Sequence, residues 1–101
     1  MVIPAHVAAL MREYDIRWLS RLDEVPDAVI ERVMGEGGLA EMRWLVRAVP
    51  ETRLREYLRD RGRRVLRPRE LRFWTWFLRI PAEEADGWTH AARRAEGAWR
   101  A

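Results

Sequence analysis

The segment Leu71-Arg72-Phe73-Trp74-Thr75-Trp76-Phe77-Leu78 carries apolar side chains on more than one helical face. A helix of that kind is surrounded by others rather than laid along a surface. Pro68 pre-sets its first turn, and Ile80-Pro81 ends it. This reading places Trp74 and Phe77 at the centre of a core. Immediately upstream, Glu51 to Arg61 reads as a helix with Leu54, Tyr57 and Leu58 inward, and Gly62 as its C-cap. Arg63 to Arg67 is then a short connection that tucks Val65 and Leu66 into the core.

Further upstream, Leu39, Met42, Leu45, Val46 and Val49 recur at helical spacing and face a core, with Trp44 off that stripe. Pro50 closes this helix. Before it, Asp23-Glu24-Val25-Pro26-Asp27 supplies acids and a proline for a helix start. Val29, Ile30, Val33 and Met34 form its buried stripe, and Gly35, Gly37 and Gly38 end it through a left-handed cap. From Pro4, the register Val7, Leu10, Met11, Tyr14 and Trp18 predicts one helical face. A break at Glu13-Tyr14-Asp15-Ile16 is the equal alternative. Downstream, Pro81 to Gly87 reads as a turn or a short helix. A last helix over about 87–100 sets Trp88, Ala91, Ala92, Ala95 and Trp99 on one face, with Arg93, Arg94, Glu96 and Arg100 on the other.

At 101 residues the chain fits one domain. A hydrophobic fraction of 49% excludes disorder as the default state. There is no cysteine, which removes disulfide frameworks, thiolate metal sites and cysteine nucleophiles. No apolar run is long enough to span a bilayer. Met1 to His6 does not read as a secretory leader, so the expected compartment is the cytoplasm. Every one of the 19 cations is arginine, and the formal net charge is only +3. Bulk charge therefore says little about partners, and local clustering has to decide.

Catalytic signals are sparse. Ser20 is the only serine, and His6 and His90 lie near opposite ends of the chain. Asp86 and His90 have the spacing of a metal-binding pair, but two ligands fall short of a site. The adjacent carboxylates Glu83 and Glu84 point apart on a helix, which does not favour acid–base work. Gly35-Glu36-Gly37-Gly38 lacks the strand and the lysine of a phosphate loop. The expectation is a protein that is not an enzyme, with no cofactor and no metal.

The uneven feature is a run of arginines. Arg53, Arg55, Arg59, Arg61, Arg63, Arg64, Arg67, Arg69 and Arg72 face only Glu56, Asp60 and Glu70 in the same stretch, a local surplus of six positive charges. Guanidinium forks suit phosphate and carboxylate, and the start of the helix at Pro68 adds its dipole. One reading is a surface for phosphate or an acidic partner. The other is a solvated face laced with pairs such as Glu56 with Arg59 or Asp60 with Arg64. A helix–turn–helix is disfavoured, because the connection is long and the second helix is too apolar past its first turn to lie in a groove. The tryptophans Trp44, Trp88 and Trp99 either dock on the chain's own core or form a seam for a partner or a second copy.

Taken together, Val29-Ile30-Glu31-Arg32-Val33-Met34-Gly35-Glu36-Gly37, Arg43-Trp44-Leu45, Leu54-Arg55-Glu56-Tyr57-Leu58 and Leu66-Arg67-Pro68-Arg69-Glu70-Leu71-Arg72-Phe73-Trp74 resemble a small bacterial helical domain family of unknown function. Some of its members are encoded beside nucleotidyltransferase-type toxins of abortive-infection systems. The resemblance implies an antitoxin or accessory role. It covers about residues 14–81 and leaves out the final tryptophan helix. Arg67 stands where such proteins often carry a small polar cap. The family brings no catalytic residues.

The sequence thus predicts an all-α, single-domain bundle of five to seven helices with a Trp/Phe-rich core. The expected function is a non-enzymatic binding module, antitoxin-like in role. It would use Arg53, Arg59, Arg61, Arg63, Arg64, Arg67, Arg69 and Arg72 to bind an acidic protein partner or nucleic acid, away from any membrane. The alternative is a structural or homo-oligomeric interaction protein that associates through its tryptophan-bearing helices.

Overall fold

In the computed structural model, residues 1–100 are described, with the side chains of residues 1–98. All regular structure among the described residues is helical. The elements are α1 (Ala5–Ala8), α2 (Ile16–Ser20), α3 (Asp27–Glu36), α4 (Leu39–Ala48), α5 (Glu51–Tyr57), a π-helical segment (Leu58–Gly62), α6 (Arg63–Val65), α7 (Pro68–Phe77) and α8 (Ala82–Arg100). Because α5, the π segment and α6 run on without a gap, these make seven helices among the described residues. The chain divides into two compact units, Met1–Pro50 and Glu51–Ala101.

In the first unit the break near residue 14 is realised. A continuous helix would bond the Tyr14 amide to the Leu10 carbonyl. Tyr14 N–H instead donates to Met11 O at 3.0 Å. The Leu10 carbonyl is taken by the Arg32 guanidinium from α3, which also pairs with Glu13. Asp15 then caps α2, its carboxylate accepting from Arg17 N–H at 2.9 Å. Val7 and Met11 are buried, whereas Tyr14 and Trp18 are exposed, so the apolar face stops at Met11.

The α3 stripe is as expected, with Val29, Ile30, Val33 and Met34 all buried. Its end differs. Gly35 lies inside the helix, and Gly37 caps it at φ −71°, in extended backbone rather than the left-handed region. A Cβ on Gly37 would meet Val33 O at 2.6 Å. Glycine is required there by close approach, not by φ. In α4, Leu45 is buried and Val49 just beyond it is too, but Leu39 is 66% exposed and is not a core residue.

In the second unit, Leu54, Tyr57 and Leu58 point inward. Gly62 does not end the helix. It has φ −55° and the chain stays helical to Val65. A Cβ at Gly62 would lie 2.8 Å from Leu58 Cδ2 and 3.0 Å from Tyr57 Cε2. The π segment thus packs its glycine against two buried side chains. Leu66 is buried as expected, but Val65 is exposed.

Pro68 occupies the first turn of α7. Leu71, Trp74, Thr75 and Leu78 form its buried side. The expectation that α7 is enclosed on all faces is corrected here. Phe73, Trp76 and Phe77 are exposed, Trp76 by 74%. Their rings cluster along one side of α7, with Phe73 stacked on Phe77 at a centroid distance of 6.0 Å and edge-on to Trp74 at 5.2 Å. Phe77 is therefore the rim of the aromatic cluster, while Trp74 is its buried member.

The end of α7 is sharp. Arg79 N–H donates to Trp76 O and Ile80 N–H to Thr75 O, which closes a Schellman motif. Its left-handed position is held by Arg79, at φ 57°, where glycine is usual. Residues 82–87 are not a separate turn: α8 starts at Ala82, just after Pro81, and absorbs them. The inward line of α8 runs through Ala85, Thr89, Ala92 and Glu96, with Trp88 half-buried beside it. Ala91 and Ala95 are exposed, so the expected apolar face is rotated.

Candidate arginine and aromatic groove

The nine arginines of residues 53–72 separate into two sets by what their guanidinium groups hold. The first set lies on the continuous helix 51–65. Arg55 Nε donates to Leu78 O at 2.8 Å, and its Nη2 pairs with Glu51 at 2.8 Å. Arg59 forms a two-pronged pair with Glu84 of α8, at 3.0 and 3.2 Å. That hydrogen-bonded guanidinium holds the Glu84 carboxyl below its ordinary range and raises Arg59 in turn. Arg63 Nε donates to Arg59 O at 2.7 Å. Arg53 is half-buried and Arg61 exposed on the same helix. The partner of Arg59 is therefore a distant residue rather than the neighbouring Glu56.

The second set is Arg64, Arg67, Arg69 and Arg72. Their side chains are exposed and make no ion pair or hydrogen bond among the described residues. They follow the corner between α6 and α7 and the outer side of α7. Arg93 of α8, likewise exposed and unpaired among the described residues, joins them. Three adjoining hollows connect these five arginines. Arg64 and Arg67 line one with Ala92, Ala95 and Glu96. Arg67, Arg69 and Arg93 line the next, along with Glu70. Glu70 Oε2 is buried there without a hydrogen-bond partner among the described residues. It stands in the first turn of α7, where the helix dipole favours a carboxylate.

The third hollow is an open groove of about 1220 Å³ between α7 and α8. Arg69, Arg72, Phe73 and Trp76 line it from α7, and Asp86, His90 and Arg93 from α8. The buried Thr75 and Thr89 also line it. Their hydroxyls donate to Arg72 O and Ala85 O within their own helices.

The tryptophans expected at an interface fare differently. Trp44 and Trp88 are half-buried, and the Trp99 side chain lies outside the described residues. The well-exposed indoles among the described residues are Trp18 and Trp76. Neither stood out in the sequence as a contact residue. Nor did Arg93, which lies twenty-one residues beyond the end of the arginine run but is returned to it by the α7–α8 hairpin. Among the described residues no group of three or more histidines, cysteines or carboxylates could hold a metal. No described helix is long and apolar enough to cross a membrane.

Comparison with protein-family models, curated proteins and solved structures finds no match to this chain.

Proposed function

We propose that this chain is a non-enzymatic binding module that holds an acidic ligand on the face formed by Arg64, Arg67, Arg69, Arg72 and Arg93. The observation that carries the reading is that these five guanidinium groups are exposed, unpaired among the described residues and gathered along one side of α7 and α8. An unpaired guanidinium keeps its donors for phosphate or carboxylate, whereas those of Arg55 and Arg59 are already engaged. The reading narrows the sequence expectation: Arg53, Arg59, Arg61 and Arg63 leave the contact set and Arg93 enters it. An antitoxin-like role would use the same face to cover an acidic surface of a toxin.

The test is titration of the protein with duplex DNA, RNA and polyglutamate at several salt concentrations. Five neutralised phosphates predict a log K against log salt slope of about −4 to −5 on duplex. The variant Arg64→Ala/Arg67→Ala/Arg69→Ala should weaken binding strongly. No binding to any of the three polyanions at low salt would sink the proposal.

A second reading, self-association through tryptophan-bearing helices, draws support from the exposure of Trp18 and Trp76. Light scattering over a wide concentration range tests it: a constant monomer mass removes it.

A further inference from the structure

We infer, resting on the acidic-ligand reading above, that the ligand is a single-stranded nucleic acid lying in the α7–α8 groove. Its bases stack on Trp76, and Arg69, Arg72 and Arg93 hold its backbone.

The first argument is the ring. Indoles bury large area in most folds and seldom stand clear of the surface. Trp76 is 74% exposed although its neighbour Trp74 is buried to 1%. An open ring face is the platform on which unpaired bases stack, and stacking is tolerant of sequence. Phe73, 40% exposed, lies 6.1 Å from Trp76 between centroids with its plane tilted by 52°, so it borders the platform as a second, separately inclined ring.

The second argument is register. Arg72 precedes Trp76 by four residues, and Arg69 precedes Phe73 by four. Residues four apart share a helix face one turn from each other. Each ring therefore has an arginine one turn away on its own face, and Arg93 stands on the opposite wall. A strand whose bases lie flat on the rings would set its phosphates against these cations. Duplex DNA offers phosphates but no free base face, so Trp76 would remain idle. Asp86 disfavours phosphate at its end of the wall, which leaves the arginine end for the backbone.

The third argument is the groove floor. A docked amphipathic helix needs a row of apolar pockets for anchors at i, i+3, i+4 and i+7. Here the buried lining is Thr75, Thr89 and a single apolar residue, Ile80, with the short Ala82 and Ala85 nearer the surface, which is one anchor position and not a row. The large apolar surface stands on the rim as flat rings rather than below it as pockets. The groove, at about 1220 Å³ and open, also exceeds the roughly 300–1,000 Å³ of small-molecule sites. A chain-like ligand with planar groups and regular negative charge meets all three conditions.

Fluorescence anisotropy of the full chain with a labelled oligo-dT of about twelve nucleotides tests the inference at low salt. The matching duplex and a polyglutamate peptide serve as rival ligands. Oligo-dT should bind more tightly than the duplex. Trp76→Ala should weaken oligo-dT binding by about tenfold, and Trp76→Phe should restore most of it. Arg72→Ala/Arg93→Ala should weaken it and flatten its salt dependence. Polyglutamate binding, if any, should not respond to Trp76→Ala. Oligo-dT binding that is salt-dependent but indifferent to Trp76→Ala would overturn the groove and leave the arginine face standing. Binding of polyglutamate alone would overturn the nucleic acid in favour of a protein ligand. No binding by any probe would overturn both readings together. Circular dichroism of each variant separates lost binding from lost fold.

Discussion

The helix over residues 51–65, up to Arg63, and α7 are neighbours in sequence and both rich in arginine, yet they spend it differently. On the first, Arg55 closes on Leu78 O and Glu51, Arg59 on Glu84 and Arg63 on Arg59 O. On α7, Arg69 and Arg72 close on nothing among the described residues, and the exposed rings of Phe73 and Trp76 each follow one of them by four residues. Density of charge along a chain therefore does not measure charge available to a ligand. What separates the two helices is whether a carboxylate or a backbone carbonyl accepts from the guanidinium group.

If α7 has an inner face for the fold and an outer face for a ligand, its two central tryptophans should respond in opposite ways. Trp74→Ala should cost about 3–5 kcal/mol, because a buried indole leaves a cavity. Trp76→Ala should change stability by less than about 0.5 kcal/mol. Urea unfolding of both variants measures this, and equal losses would break the comparison. Next in size is the 51–65 helix itself. Gly62→Ala places a Cβ against Leu58 and Tyr57 and should cost about 1–3 kcal/mol through overpacking. A neutral result would mean that the π segment relaxes freely. A smaller effect compares the two kinds of arginine directly. Arg55→Ala removes a charge-assisted bond to the Leu78 carbonyl at the end of α7 and should cost about 1–2 kcal/mol. Arg72→Ala should stay within about 0.5 kcal/mol. The smallest concerns pH. Arg59 lowers the Glu84 pKa in the folded state, so this pair adds stability above the ordinary Glu range and loses it as pH falls through the lowered value. Glu84→Gln should therefore flatten part of the acid limb of a Tm against pH curve. An unchanged acid limb would show that the pair contributes nothing.

Much of the helical plan is legible in the sequence. Pro26, Pro50 and Pro68 mark helix starts because proline fits a first turn and no later one. The α3 stripe was legible because four apolar residues on one face have a polar opposite face. The same logic misplaced Phe77. Where apolar residues occupy several faces, periodicity no longer says which face is inward, and only packing decides. Gly62 reads as a C-cap and Gly37 as a left-handed one, since a glycine needed for close approach looks the same in sequence as one that ends a helix or one needed for φ. The one left-handed residue among the described residues, Arg79, had no sequence signal at all. At the candidate site, the corner arginines were visible as a run. Arg93 was not, because a linear window cannot see residues that a helical hairpin returns. Nor could it see that Glu84 would claim Arg59.

The turn at Arg79 has a kinetic side. Only four residues, 78–81, separate α7 from α8, so bringing these two helices together closes a very short loop. Short closures cost little entropy and favour rapid formation. Both walls of the groove, with Trp76 on one and Arg93 on the other, belong to this one local hairpin. The groove can therefore assemble early and as a unit, with its two walls already joined by the turn.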